Sequence, residues 1–173
     1  MRRIAIIVPV FCLLLMACKH PTQFKEVQSQ KGFFTLEVPT YMSVSHSIFP
    51  TLSDIEYRND SIPIYVVGFD TSRDGLFEAS LKQYYDSAEA HQTIDSSVLE
   101  KPQFMMVNGD SALTSRLTGK VAGEKFVYRI ETLATTDKFY YILVWTKASA
   151  EKGLETDIER ILKSFHDTNH KKE

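Results

Sequence analysis

The side chains best placed by type and spacing to do chemistry are two carboxylates, Asp70 and Asp74, on either side of Arg73. Two carboxylates beside a guanidinium can divide the roles of general acid and general base. Each also has a simpler structural explanation, because Asp70 ends a predicted strand and Asp74 is suited to cap the helix that follows it. We therefore predict that Asp70 and Arg73 belong to a binding surface, and we predict no catalytic residue.

The five histidines are the next candidates, as metal ligands. His166 and His170 are four residues apart and would share one face of a helix, with Asp167 between them. A metal site needs three or four converging ligands, and the neighbouring Lys171 and Lys172 would repel a cation. The chain also lacks the short motifs of serine hydrolases, zinc proteases, P-loops and dinucleotide-binding folds. The sequence therefore predicts neither a metal nor a cofactor.

Adjacent aromatic residues are the remaining candidates for a binding surface. Tyr84 falls on a predicted helix and Tyr140 on a predicted strand, and each is followed by a second tyrosine. Neighbouring side chains of a strand point to opposite faces, so one ring is exposed if only one face is covered. Burial of both rings is the commoner outcome, and we retain Tyr84 and Tyr140 as candidate binding residues. The pair Met105 and Met106 is a further adaptable apolar contact, with gap filling in the core as its alternative.

Cys18 follows a basic and then apolar N-terminus. Arg2 and Arg3 precede residues 4–16, which are apolar except for one proline. A membrane-spanning helix needs about 20 apolar residues, so this shorter stretch is typical of a signal peptide. Residues 15–18 (LMAC) resemble the bacterial lipobox, in which the cysteine is acylated and becomes the new N-terminus. The alternative is an ordinary secretory signal in which Cys18 is incidental.

These features predict four segments: a signal peptide at residues 1–17, a tether at 18–31 that begins with the lipidated cysteine, a single domain at 32–166 and a polar tail at 167–173. The domain has a length close to the commonest for a single domain. Cys12, the second of the two cysteines, leaves with the signal peptide. The mature domain then has no free thiol, which excludes cysteine catalysis, cysteine-bound zinc and disulfides.

Charge restricts the partners. The whole chain has 20 Lys and Arg against 22 Asp and Glu, and loss of residues 1–17 removes two of the basic residues, leaving a formal charge of −4. A nucleic-acid-binding protein would show a basic patch, so no nucleic acid is predicted as partner. Attraction to anionic lipid is not expected either, and the membrane is contacted through the lipid alone. Lys19 is not the aspartate that retains some lipoproteins in the inner membrane, which favours a periplasm-facing position on the outer membrane.

The body of the chain shows strand and helix periodicities. Residues 139–146 are almost continuously apolar, as in a central strand covered on both faces. Asn108-Gly109-Asp110 is typical of a short hairpin turn. Together the elements predict an α+β domain, a largely antiparallel sheet packed with two main helices. The predicted strands are 33–39, 54–58, 62–69, 103–107, 111–118, 124–134 and 139–146, and the predicted helices are 75–90 and 150–165.

The order of these elements resembles the PsbP-like α/β/α sandwich. The residues that carry the resemblance are 34–39 (FTLEVP), 107–112 (VNGDSA), 140–143 (YYIL) and 161–165 (ILKSF), which mark strand ends and core positions. The superfamily includes an extrinsic photosystem II protein, a Ran-binding nuclear-import factor and many bacterial envelope proteins. The resemblance implies a binding or assembly protein and not an enzyme. The chain departs from the plant-type pattern because it has no evident calcium or manganese ligand set.

Two classes of function follow. The first is a lipid-anchored envelope protein that acts as a non-catalytic binding or assembly module for another envelope protein. The alternative is a small-ligand carrier or a hydrolase-like enzyme with a pocket between helix and sheet. A binding module needs an exposed apolar patch with a polar rim, whereas an enzyme needs a concave pocket with converging polar groups. A pocket lined by Asp70, Arg73 and a histidine would contradict the first class.

Overall fold

The structure is a computed structural model that describes residues 21–49, 53–74, 80–89 and 94–168. The predicted signal peptide and Cys18 lie outside these residues. The strands are β1 (Phe24–Gln28), β2 (Phe34–Pro39), β3 (Ser43–Val44), β4 (Ile55–Asn59), β5 (Ile64–Ser72), β6 (Asp95–Leu99), β7 (Gln103–Val107), β8 (Asp110–Val121), β9 (Glu124–Ala134), β10 (Lys138–Lys147) and β11 (His166–Asp167), and the helices are α1 (Leu81–Glu89) and α2 (Glu151–Lys163).

An eight-stranded antiparallel sheet forms the centre of the protein. Its strand order is β3-β4-β5-β10-β9-β8-β6, and β7 pairs with β8 next to β6. The predicted central strand is confirmed, because β10 lies in the middle and its residues from Phe139 to Val144 are all buried. The predicted hairpin turn is also confirmed. Asn108 and Gly109 have φ of 49° and 99°, the left-handed backbone that a two-residue hairpin turn requires.

The two faces of this sheet bury different elements. The three-stranded sheet β1-β2-β11 and α2 cover one face, which we call the α2 face. Helix α1 packs on the other, the α1 face. Each face covers its own hydrophobic core. Because side chains alternate along β10, Ile142 belongs to the core on the α2 face and Leu143 to the core on the α1 face. The α+β class, with a largely antiparallel sheet and two helices, is thus observed as predicted.

Helix α2 has the apolar face that its sequence predicts. Leu154, Ile158, Ile161 and Leu162 are buried at helical spacing against the large sheet and β2. Burial of each such side chain stabilises the fold by about 1.5–3 kcal/mol. The prediction is confirmed to within a residue or two at each end.

The folded body extends beyond the predicted domain at both ends. Residues 24–28, placed in the tether by composition, form β1, and Val27 lies directly opposite Leu36 on β2. Asp167, placed in the polar tail, belongs to β11 opposite Phe34 and is 4% exposed. The sequence does not reveal these two strands, for one reason. A short edge strand is held by backbone pairing, and its polar residues carry little apolar periodicity.

Helix α1 is confirmed for the described part of its predicted range, but Asp74 is not its cap. Ser80 and Gln83 form a capping box, in which Gln83 N–H donates to Ser80 Oγ at 3.2 Å and Ser80 N–H donates to Gln83 Oε1 at 2.7 Å. Asp74 instead accepts a hydrogen bond from the hydroxyl of Ser72, at 3.1 Å.

Within the described residues, no helix has both the length and the apolar character that crossing a bilayer requires.

Candidate functional site

Asp70 lies in a group of four charges at one end of β5, in which the two carboxylates are nearly buried and Lys31 is exposed. Its carboxylate accepts hydrogen bonds from Lys31 at 2.9 Å and Lys138 at 2.7 Å, and its side chain is 4% exposed. Lys31 also reaches Asp54 at 3.0 Å, and the second oxygen of Asp54 accepts the Asp70 N–H at 2.9 Å. Two lysines therefore balance two carboxylates. The group joins the β1–β2 turn to β5 and β10.

The pKa values follow from this arrangement. Burial opposes ionisation of Asp70, but the interaction with the Asp54 carboxyl and the hydrogen bonds that Lys138 and Lys31 donate outweigh it and hold the pKa of Asp70 at about 2. Burial and the neighbouring Asp70 raise the pKa of Asp54. Because the lysines already satisfy both carboxylates, the group acts as a structural ion network. It offers no free acid or base to a substrate.

Arg73 and Tyr84 are held by contacts with the fold. The Arg73 guanidinium donates to the carbonyl of Thr135 at 2.7 Å and lies 4.8 Å from the centre of the Phe139 ring. The ring of Tyr84 stacks on Phe139 with 4.6 Å between centroids, and its hydroxyl is 2.9 Å from that of Thr71. Both residues therefore pack on the buried ring of Phe139, beside the Asp70 network.

Tyr140 lies directly opposite Asp70 in the pairing of β10 with β5. Its side chain is fully buried on the α2 face, with Phe34 and Phe165 rings at 5.3 and 4.9 Å. Burial raises the pKa of its phenol. The tertiary structure thus brings Tyr84, Tyr140, Asp70 and Arg73 to one end of the β5–β10 pair. A partner or ligand cannot reach Tyr140 there.

Neither of the two cavities described is lined by Asp70, Arg73 or a histidine. The first, of about 220 Å³, is lined by Glu100, Lys101, Gln103, Thr114, Ser115, Arg116 and Arg129. The second, of about 280 Å³, is lined by Glu26, Glu37, Arg160, Lys163 and Ser164. Both are small compared with ordinary ligand pockets of about 300–1,000 Å³. The described residues contain no group of three or more metal-ligating side chains.

An exposed apolar strip runs along the β6–β7 edge of the large sheet. It consists of Leu99, Phe104 and Met106, whose side chains are 43%, 67% and 55% exposed. Phe104 lies opposite Leu113 on β8, and that leucine belongs to the α1-side core. The three side chains are therefore on the α1 face of the sheet. We call them the edge strip.

A polar surface occupies the α2 face of the same edge. Arg116 of β8 makes two hydrogen bonds of 2.8 Å to the carboxylate of Glu151 and a third of 3.0 Å to Glu100. Arg129 lies directly opposite Arg116 on β9 and forms no ion pair with the described part of the chain. Together with Lys101 these arginines make the first cavity cationic. An apolar strip with a charged surface beside it is the arrangement expected of a binding site for a protein.

A row of aromatic rings on the α1 face is a second, less exposed surface. Tyr65, Trp145 and Tyr128 lie side by side on β5, β10 and β9, with centroids 5.2 and 6.3 Å apart. Tyr65 and Trp145 are half-buried and Tyr128 is buried. These rings mainly cover the hydrophobic core on the α1 face. The edge strip has the larger exposed apolar surface and is the stronger candidate.

Sequence reasoning reached only part of this site. The pair Met105 and Met106 was identified as an adaptable contact, and the structure divides it, since Met105 packs against the core while Met106 is exposed. Phe104 falls in a predicted strand, but the residues of that strand do not show whether it lies at an edge of the sheet. Strand β6 was not predicted at all, because residues 95–99 include only two apolar side chains, Val98 and Leu99, and those are adjacent. Two adjacent apolar residues do not show the alternation of apolar and polar residues that predicts a strand.

Comparison with known proteins identifies the fold and nothing finer. No family model matches the chain, and no curated protein matches it. Among solved structures, cyanobacterial PsbP (CyanoP) from Synechocystis sp. PCC 6803 is similar with a TM-score of 0.60 and 11% identity, over 84% of this chain and 93% of that one. LpqN, described as involved in cell envelope biogenesis of Mycobacterium tuberculosis, is similar with a TM-score of 0.58 and 10% identity, over 84% and 90%.

A variant of the protein Mog1 is similar with a TM-score of 0.54 and 14% identity, over 86% of this chain and 97% of that one. The matches span nearly the whole length of these proteins, so the chain has a PsbP/Mog1-like fold. At these identities the likeness concerns the fold alone, because one fold supports many functions.

Proposed function

We propose that this protein is a lipid-anchored protein of the bacterial envelope that acts as a non-catalytic binding or assembly module for another envelope protein. The observation that carries the proposal is the edge strip. Phe104 and Met106 are large apolar side chains, more than half exposed, on a strand that pairs on one side only within the described residues. Single exposed apolar residues need no explanation, but two on the edge strand β7 beside Leu99 of β6 are typical of an interaction surface.

The envelope part of the proposal depends on the N-terminus. A basic start, a short apolar stretch and a cysteine after a small residue favour lipidation of Cys18. The structural likeness to LpqN, a protein involved in cell envelope biogenesis, supports the same location. Lys19 favours transfer to the outer membrane, with the domain facing the periplasm. No nucleic acid or cofactor enters the proposal.

The alternative class, a ligand carrier or a hydrolase-like enzyme, has less support. The residues that would have supplied its chemistry are engaged with one another, since Asp70 is bound by two lysines and Arg73 by a backbone carbonyl. The two cavities described are small, and the carboxylates Glu100 and Glu37 in their walls are ion-paired with Arg116 and Arg160.

The binding surface is tested by photocrosslinking in cells. A benzoylphenylalanine replaces Phe104 in one strain and Val44 in the other. Val44 is the matched control, because it is 59% exposed and lies on the strand at the opposite edge of the same sheet. We expect a reproducible crosslinked protein from position 104 and not from position 44. Equal yields of the same product, or no product from position 104, would contradict the proposal.

The anchor is tested separately. Cells that express the chain are fed an alkyne fatty acid, and labelling is compared for the unaltered protein, Cys18→Ser and Cys12→Ser. Only Cys18→Ser should lose the label and leave the membrane fraction, since Cys12 precedes the cleavage site. Density-gradient separation of the membranes then shows whether the labelled protein lies in the outer membrane. Labelling that survives Cys18→Ser would contradict lipidation at this position.

A further inference from the structure

We propose that the partner binds by strand addition: an extended segment of about five residues pairs with the free edge of β7, its apolar side chains over the edge strip and its acidic side chains toward the cationic cavity. The inference rests on the proposed function and specifies the binding mode and the chemistry of the partner. It follows from three features of β7, its backbone, its apolar side and the charge on its other side.

The backbone of β7 presents free hydrogen-bonding groups. In an antiparallel pair, alternate residues bond to the neighbouring strand while the others direct N–H and C=O outward. Val107 and Asp110 close the two-residue hairpin and are a hydrogen-bonded pair. The alternation then assigns Met105 and Gln103 to bonds with β8, and it directs the backbone groups of Met106 and Phe104 outward. Within the described residues no strand pairs with this side of β7.

The residues with outward backbone groups are also those with exposed apolar side chains. An added strand that bonds to Phe104 and Met106 would therefore place its own side chains beside them, on the α1 face. Cross-strand pairs of this kind are what stabilises a sheet. The partner should accordingly present large apolar residues at every second position. Phe104 and Met106 therefore offer both the main-chain groups and the apolar side chains that an added strand would contact.

The opposite face of the added strand meets positive charge. The first cavity is lined by three cations, Lys101, Arg116 and Arg129, and by one carboxylate, Glu100. Glu100 and Glu151 both bond to Arg116, so two carboxylates stand against three cations and one net positive charge remains. Lys101 is exposed and makes no ion pair with any residue that the structure describes. The remaining positive charge favours acidic residues at the alternate positions of the partner.

This charge argument also selects between occupants. A second copy of the chain could pair through its own β7, but the α2-face residues of that strand are Gln103, Met105 and Val107. None of them is acidic, so self-pairing would leave Lys101 without an acidic partner. An envelope protein with an alternating apolar and acidic segment satisfies both faces. We therefore assign the edge to such a segment.

The test uses the full-length protein in detergent micelles and two fluorescein-labelled peptides, Ac-Gly-Val-Glu-Val-Glu-Val-Gly and its counterpart with Lys in place of Glu. Fluorescence anisotropy should show binding of the acidic peptide at least tenfold tighter than binding of the Lys peptide. Hydrogen exchange measured by mass spectrometry should show protection of residues 103–107 by the acidic peptide. Protection elsewhere, or equal binding of both peptides, would overturn the proposal.

Three variants separate the contributions of the backbone, the aromatic ring and the charge. Phe104→Pro removes an outward N–H without touching a bond to β8, and it should weaken binding at least tenfold. Phe104→Ser, which keeps the N–H and removes the ring, should weaken it less. Lys101→Glu changes an exposed residue and should reverse the preference between the peptides. Circular dichroism shows whether each variant is folded. If Phe104→Pro misfolds, the proposal is tested by whether Lys101→Glu reverses the preference between the two peptides.

The outcomes distinguish this inference from the proposed function. If crosslinking from position 104 captures a partner while neither peptide binds, strand addition is wrong and the binding module stands. If crosslinking captures nothing and the acidic peptide still binds as described, the edge accepts strands and the proposed function is wrong. A concentration-dependent dimer in sedimentation velocity that Phe104→Pro abolishes would assign the edge to a second copy and overturn the proposal.

Discussion

Glu131 on β9 gives the sharpest test of the energetics of this fold. Its side chain is 1% exposed beneath α2, and its Oε1 has no hydrogen-bond partner in the described structure. Burial raises its pKa from the ordinary 4.5 to about 8, although Arg129 and Lys163 nearby favour the charged form. The folded protein therefore holds a proton on this carboxyl that the unfolded chain releases above pH 4.5.

The sign of the pH dependence follows from this difference. Between pH 4.5 and pH 8 the native state binds more protons than the unfolded state, so the free energy of unfolding falls as the pH rises. One pKa unit corresponds to about 1.4 kcal/mol, which makes the loss about 3 kcal/mol at pH 7 and about 5 kcal/mol above pH 8. Glu131→Gln keeps the shape and removes the titration. We expect it to stabilise the protein by those amounts and to have little effect at pH 4.5.

Urea unfolding followed by circular dichroism at pH 4.5, 7 and 8.5 measures this difference. Glu155→Gln is the matched control, because Glu155 is an exposed carboxylate on α2, and it should change stability by less than about 0.5 kcal/mol at every pH. A difference between Glu131→Gln and the unaltered protein that does not grow with pH would refute the reasoning. It would mean that the buried carboxyl stays charged and is compensated by its neighbours.

Three further predictions concern the framework, each measured by urea unfolding. Asp70→Asn should lower the free energy of unfolding by about 2 kcal/mol at pH 7. The loss should shrink below pH 4, because the unaltered carboxylate is itself protonated as the pH approaches its pKa of about 2 and then no longer pairs with the lysines. A loss that does not depend on pH would contradict this. Ser80→Ala should cost about 1 kcal/mol through loss of the capping box, and no change would exclude that cap. Gly68→Ala should destabilise the protein by about 1–3 kcal/mol, because its methyl would lie 2.9 Å from a buried phenylalanine ring. Gly153→Ala, on the open side of α2, should instead stabilise the protein by about 1 kcal/mol. A tolerated Gly68→Ala would contradict the packing there.

Regular elements with a strong apolar pattern could be read from the sequence. The run at residues 139–146 has apolar side chains on both faces, which only a central strand can bury, and β10 is that strand. The spacing of Leu154, Ile158 and Ile161 likewise predicted α2. Asn108-Gly109 predicted its hairpin through backbone conformation alone. In each case the information is local to the element.

The failures concern elements that depend on distant partners. Strand β1 is polar except for Phe24 and Val27 and exists because β2 lies beside it. The cap of α1 is Ser80, whose hydroxyl accepts the N–H of Gln83, although Asp74 has an equally suitable side chain. The residues predicted for binding do cluster, yet Tyr140 is buried and Asp70 is bound by lysines 39 and 68 positions away.

By itself the sequence determined the α+β class with its central strand and its two amphipathic helices, and it predicts an N-terminal signal with Cys18 as the point of attachment. These follow from composition and from periodicities of two and 3.6 residues, which are properties of neighbouring residues. Only the tertiary structure decided that β7 is an edge strand and that Phe104 and Met106 are exposed. Exposure depends on which strand lies beside which, and that choice is made by contacts between residues far apart in the chain.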